Sequence, residues 1–297
     1  MNAAPPAASN PQRGQWTPAA CGSERLLGGF LRVLELDAAG AADHADGFER
    51  LRTGALQAIV VRGVYPPEVM AAAVERLARH DPPFLRTRFP SAFKAWFYGR
   101  NVNLADPALS GYFSEAATFN AQLAALLPQP PQQRIAELLA ALDGGRRFLA
   151  APGPQPGEHY MFTTLRAHQP GGFIPPHFDN EVRLRPSYRH LARQVSEHIQ
   201  SFVLTLDAGA GGGALEVFDS RCEPQAARLL NDDHAPPAPD TTRIASVSFR
   251  LPPGAMIVLD SGRYLHQVTP VLGARTRWTA CSFMARARAA DATYLWG

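Results

Sequence analysis

From residue 159 onward the chain is a succession of short β-type runs, each closed by Gly, Pro or Asp. They read HYMFTTLRAHQ, IQSFVLTLDA, GALEVFD, TRIASVSFRL, GAMIVLD and RTRWTACSFMA. Short strands separated by turn residues, with few helices between them, restrict this half to a sandwich or barrel. Only SYRHLARQVSEHI (residues 187–199) interrupts them with helical character. Before residue 151 the texture differs. Residues 30–36 and 56–63 read as strands, and the second leads into VYPPEVMAAAVERLARH, where a proline pair precedes apolar residues at helical spacing. FNAQLAALL and QQRIAELLAALDGG are two further helices, the latter stopped by Gly144 and Gly145. APGPQPG (residues 151–157) is a breaker-rich linker. The expected fold is mainly β with accessory helices. A disordered leader spans residues 1–20, and a single domain spans 21–297, with strands and helices in 21–150 and the β core in 151–297.

Composition excludes several function classes. The 29 basic and 26 acidic side chains are well mixed and leave a net charge of only +3, with no Lys/Arg block to grip a nucleic acid. Three scattered cysteines, Cys21, Cys222 and Cys281, include no C-x-x-C, so neither a disulfide framework nor a zinc knuckle is indicated. The N-terminus has no apolar signal region and no stretch long enough to span a bilayer, which points to a cytoplasmic protein without a membrane partner.

Two H-x-D pairs compete for a metal: His44–Asp46 and His177–Asp179. The first lies in AAGAADHADGFERLR, a loop entering a helix with Asp46 placed as an N-cap, and such a site does not hold two side chains rigidly together. The second follows Pro175 and Pro176, which force extended backbone, and residues i and i+2 of a strand share a face. A third donor, His266, lies 266 − 177 = 89 residues on, a separation suited to ligands on different strands of one barrel. Two histidines and one carboxylate form the facial triad of non-haem Fe(II) enzymes, although the same set also suits zinc. Beyond His266, the residues Arg275, Arg277 and Thr279 alternate along one strand face. A guanidinium fork with a hydroxyl two residues on is shaped to clamp a carboxylate, and beside a facial triad that carboxylate is the distal end of 2-oxoglutarate.

The pattern H-x-D … H-x-V-x-P-V … G-x-R … R-x-T resembles the Fe(II)/2-oxoglutarate-dependent dioxygenases. IVVRGVYPPEVM, HFDNE, SGRYLHQVTPVLGARTRW and the closing ATYLWG are similar to the carrier-independent subgroup of welwitindolinone-type alkaloid halogenases and N-succinyl amino acid hydroxylases, from about residue 56 to the C-terminus. The resemblance implies a double-stranded β-helix (jelly-roll, cupin-like) core with an N-terminal helical layer. It implies Fe(II) held by His177, Asp179 and His266, with 2-oxoglutarate and O2 as co-substrates. Arg277 with Thr279 best matches the co-substrate's carboxylate clamp; Arg275 is the alternate, and Arg166 on the preceding strand is a further candidate. The family's halogenases carry glycine where this chain has Asp179, which frees an iron position for chloride. The carboxylate here therefore implies a hydroxylase that decarboxylates 2-oxoglutarate to succinate and CO2. The competing classes are a cupin-like metal-dependent isomerase and a ligand-binding protein, neither of which needs Arg277 and Thr279.

The substrate expected is a free small molecule, such as an N-acyl amino acid or an alkaloid-like metabolite. Residues 84–100 interleave Arg86, Arg88, Lys94 and Arg100 with aromatic rings, and Arg183, Arg185 and Arg189 follow the ligand pair. They form either a lid gripping an anionic substrate or a solvated basic face over an aromatic core. His190 and His198 are expected exposed on a lid helix, His159 and His168 in packing or surface roles, His234 solvated, and Cys281 a small buried filler.

Overall fold

A computed structural model describes residues 12–88, 93–102, 105–180, 185–222 and 239–297. In the first half lie β1 (Arg13–Gln15), β2 (Ser23–Leu27), β3 (Leu31–Asp37), α1 (Gly47–Thr53), β4 (Ala58–Arg62), α2 (Pro67–Ala78), β5 (Arg86–Arg88), β6 (Ala95–Tyr98), α3 (Tyr112–Ala124), α4 (Pro131–Ala141) and β7 (Arg147–Ala150). In the second lie β8 (Thr164–His168), β9 (Ile174–His177), α5 (Arg189–Gln194), β10 (Gln200–Asp207), β11 (Gly211–Gly212), β12 (Leu215–Arg221), β13 (Ser246–Phe249) and β14 (Met256–Leu259). The chain closes with β15 (Tyr264–Val268), β16 (Val271–Leu272), β17 (Arg277–Arg286) and β18 (Ala292–Trp296).

The strands form two main sheets. One runs β1-β13-β12-β15-β9; the other runs β2-β3-β4-β14-β10-β17-β8-β6-β5, with β18 and then β7 attached to β17. The period of two decides what each face meets. Ala58 and Val60 of β4, with Ile257 and Leu259 of β14, pack against Leu215, Val217, Val247 and Phe249 of the smaller sheet. Their neighbours Ile59, Val61, Met256 and Val258 join the helices in the second core. The larger sheet therefore has an inner face toward the smaller sheet and an outer face under the helices. The helices bury the residues their spacing marks: Met70, Ala73 and Leu77 of α2, and Ile135, Leu138 and Leu139 of α4.

Two expectations about organisation change, the leader and the helix over 187–199. Residues 12–20 are not a structureless leader: β1 pairs in parallel with β13, and Trp16 is buried with its Nε1–H donating to Glu35. The two halves are continuous through hydrogen bonding, since β4 pairs with β14 and β7 with β18, and the 151–157 segment is tied down by Ala151 N–H to Leu295 O. The helix expected over 187–199 is only α5 and a short 3-10 turn at Pro186–Tyr188. Val195, just past α5, bridges to Ala287 instead. Among the described residues no helix is long and apolar enough to cross a membrane.

Candidate metal centre

His177 closes β9 and His266 sits in β15, and the two are direct cross-strand partners, which brings their rings to a centroid distance of 4.3 Å. Asp179 does not share a strand with His177, because β9 ends at His177. It follows Phe178 in the turn after β9, where its backbone N–H donates to Ser261 O at 3.1 Å.

The donor atoms of His177, Asp179 and His266 all lie within 4.8 Å of one another. Asp179 Oδ1 is 3.6 Å from His177 Nε2 and 3.8 Å from His266 Nε2. Each ring is oriented by its own strand: His177 Nδ1 is 2.8 Å from Pro175 O, and His266 Nδ1 is 3.0 Å from Tyr264 O. A carbonyl only accepts, so each Nδ1 carries the proton and each Nε2 keeps its lone pair for a metal. Loss of water around the His177 ring, then the neighbouring His266, lowers its pKa to about 4. The ring is therefore neutral and ready to ligate at neutral pH. This donor set, with inward lone pairs and a buried carboxylate, fits a divalent metal. By contrast His44 ends a 3-10 turn and Asp46 precedes α1, and they belong to no group of metal-ligating side chains among the described residues.

The triad opens into a narrow cavity, partly open to solvent, which Arg166, His168, Ser201, Arg277, Thr279 and Cys281 also line. Arg277 and Thr279 point inward from β17, are 6% and 0% exposed, and face His168 and Arg166 across the β17–β8 ladder. Burial pushes the Arg277 guanidinium down to about 10, so it remains cationic at neutral pH, and no carboxylate lies within ion-pair distance of it among the described residues. A buried, unpaired guanidinium calls for an anion. Arg275 is placed elsewhere: β17 begins at Arg277, and Arg275 is 63% exposed, paired with Asp207 and bonded to Gly209 O. The strand alternation that would turn it inward does not extend that far.

Gly213 makes room for the Arg277 side chain. Its φ is +61°, and a Cβ there would lie 2.6 Å from Arg277 Cδ. Gly213→Ala is expected to raise the KM for 2-oxoglutarate about tenfold. Gly29→Ala, at φ +78° with nothing within 4 Å, is the control that carries backbone strain alone.

Three of the arginines expected in a lid, Arg86, Arg88 and Arg100, are turned away or held elsewhere. Arg86 and Arg88 pair in register with Tyr98 and Trp96 and stack on Trp96, on the opposite face of the sheet from Phe97 and Arg166. Arg100 is held by Glu115 at 2.6 and 2.7 Å. Arg183 and His234 lie outside the described residues. His190 and His198 are half-buried, the first bonded to Tyr160 and the second 2.6 Å from Asp260. His168, by contrast, is a site residue missed from the sequence. It is 1% exposed, and its place two residues after Arg166 on a strand is the signal that would have put it on the same face. Burial, then Arg277 and Arg166, lowers its pKa well below the usual value. His168 and His177 thus stay neutral in the folded chain where unfolded histidines bind protons. The metal-free protein is expected to lose stability as pH falls from about 6.5 toward 4, measured as a falling Tm, and His168→Gln to flatten that slope.

A family model described as the carrier-protein-independent halogenase WelO5 matches residues 30–297. No curated protein matches the chain. Among solved structures, an N-substituted L-amino acid dioxygenase from Burkholderia ambifaria AMMD in complex with alpha-KG is 15% identical, with a TM-score of 0.54 over 85% of this chain and 91% of its own. A second structure of that enzyme is 18% identical at the same TM-score, 0.54, and the same coverage, 85% and 91%. At these identities the likeness concerns the fold. The match over residues 30–297 places the chain in the carrier-protein-independent halogenase WelO5 family, and with it among the Fe(II)/2-oxoglutarate-dependent dioxygenases.

Proposed function

We propose that this chain hydroxylates an unactivated C–H of a free small molecule, with decarboxylation of 2-oxoglutarate to succinate and CO2, on a double-stranded β-helix core. The strand orders β14-β10-β17-β8 and β13-β12-β15-β9, in facing sheets, support that core. His177, Asp179 and His266 would hold Fe(II), and Arg277 with Thr279 would hold the distal carboxylate of 2-oxoglutarate. When bound, the metal and co-substrate supply the activation of O2. The chain's own residues orient and enclose: the backbone carbonyls fix both histidine rings, and Ile174, Val203, Leu259, Val268 and Phe283 give the cavity an apolar wall that limits water.

The observation that carries hydroxylation over halogenation is the Asp179 carboxylate, 2% exposed and facing both Nε2 atoms. It fills the position a halide would need. A metal-dependent isomerase or binding protein would leave the buried Arg277 without a purpose. The test is succinate release screened across N-acyl amino acids and indole alkaloids in chloride buffer, with products identified by mass. The expected product gains one oxygen atom; a chlorinated product from the unaltered chain would overturn the reading.

A further inference from the structure

The cavity holds two guanidiniums with different neighbours. The Arg277 side chain packs against Gly213, near Phe249 and Arg250, whereas Arg166 lies over the Phe97 ring at 5.1 Å, toward β6. Arg166 Nε is buried without a hydrogen-bond partner, and no carboxylate lies within ion-pair distance of Arg166 among the described residues. With the site read as an Fe(II)/2-oxoglutarate centre, the charges cancel without it. The metal brings two positive charges and Arg277 one; Asp179 brings one negative charge and 2-oxoglutarate two. Arg166 is the surplus cation, a half-buried side chain whose Nε is shut off from water, and such a group is costly to leave without an anion.

We propose that Arg166 receives a carboxylate of the substrate, which makes the substrate class small monoanions with an apolar body. This rests on the proposed function, and it moves substrate recognition from the outward-facing arginines of residues 84–100 to the cavity itself. The apolar part would lie along Ile174, Val203, Leu259, Val268 and Phe283.

The test uses the full chain loaded anaerobically with Fe(II) and 2-oxoglutarate, followed by its visible charge-transfer band. Hexanoate is titrated beside its neutral isostere hexanamide. Hexanoate is expected to shift the band saturably and hexanamide not to. Arg166→Gln is expected to weaken hexanoate about tenfold or more, with 2-oxoglutarate affinity kept within about threefold, and Arg166→Lys to recover part of the loss. Retained 2-oxoglutarate binding shows that the variant is folded. The proposal is overturned if hexanoate and hexanamide act alike, if hexanoate binding survives Arg166→Gln, or if that variant loses 2-oxoglutarate. Absence of the band in the unaltered chain would instead overturn the reading of the metal centre beneath it.

Discussion

Asp179→Ala is expected to bind Fe(II) at least about a hundredfold more weakly and to lose substrate-coupled succinate formation. Loss of a group that merely orients a ligand costs roughly ten- to a hundredfold in metal affinity, so loss of a ligand sets that as a floor. The carboxylate is buried between two imidazoles whose Nε2 lone pairs face it, and Ser261 O fixes its backbone. Alanine leaves two neutral donors and no charge to offset the metal. Asp179→Gly, tested in chloride, is expected to let halide take the vacated position and to yield some chlorinated product. Iron affinity by anaerobic dialysis and product mass read both outcomes, and full hydroxylation by Asp179→Ala would remove Asp179 from the ligand set.

Arg277→Ala is expected to weaken 2-oxoglutarate about a hundredfold. Two charge-assisted hydrogen bonds at about 1.5 kcal/mol each account for that factor. Arg275→Ala, on an exposed side chain already paired with Asp207, is expected to leave the affinity unchanged. The KM for 2-oxoglutarate in succinate formation separates the two, and equal losses would mean that the clamp is misassigned.

The candidate donor residues are legible in the sequence because metal chemistry needs particular side chains, and the proline pair fixes extended backbone just before His177. Their arrangement is less so. Alternation puts Asp179 on the His177 strand, but it lies beyond that strand's end, held by a contact to Ser261, 82 residues away by 261 − 179. Arg275 turns inward only if alternation runs past the start of β17, and it does not. Arg86 and Arg88 cannot be assigned a face without the register of β5 on β6, since a shift of one residue inverts every side chain. The helices form where their apolar spacing is regular, as in α2 and α4, and are shortened where tertiary pairing intervenes, as at Val195.

We propose that His177, Asp179 and His266 hold Fe(II) beside a 2-oxoglutarate clamp at Arg277 and Thr279. Anaerobic titration of the metal-free chain with Fe(II) and then 2-oxoglutarate tests it most directly. The prediction is a visible charge-transfer band at one iron per chain, lost in Arg277→Ala. No band in the unaltered chain, together with tight zinc binding, would contradict it.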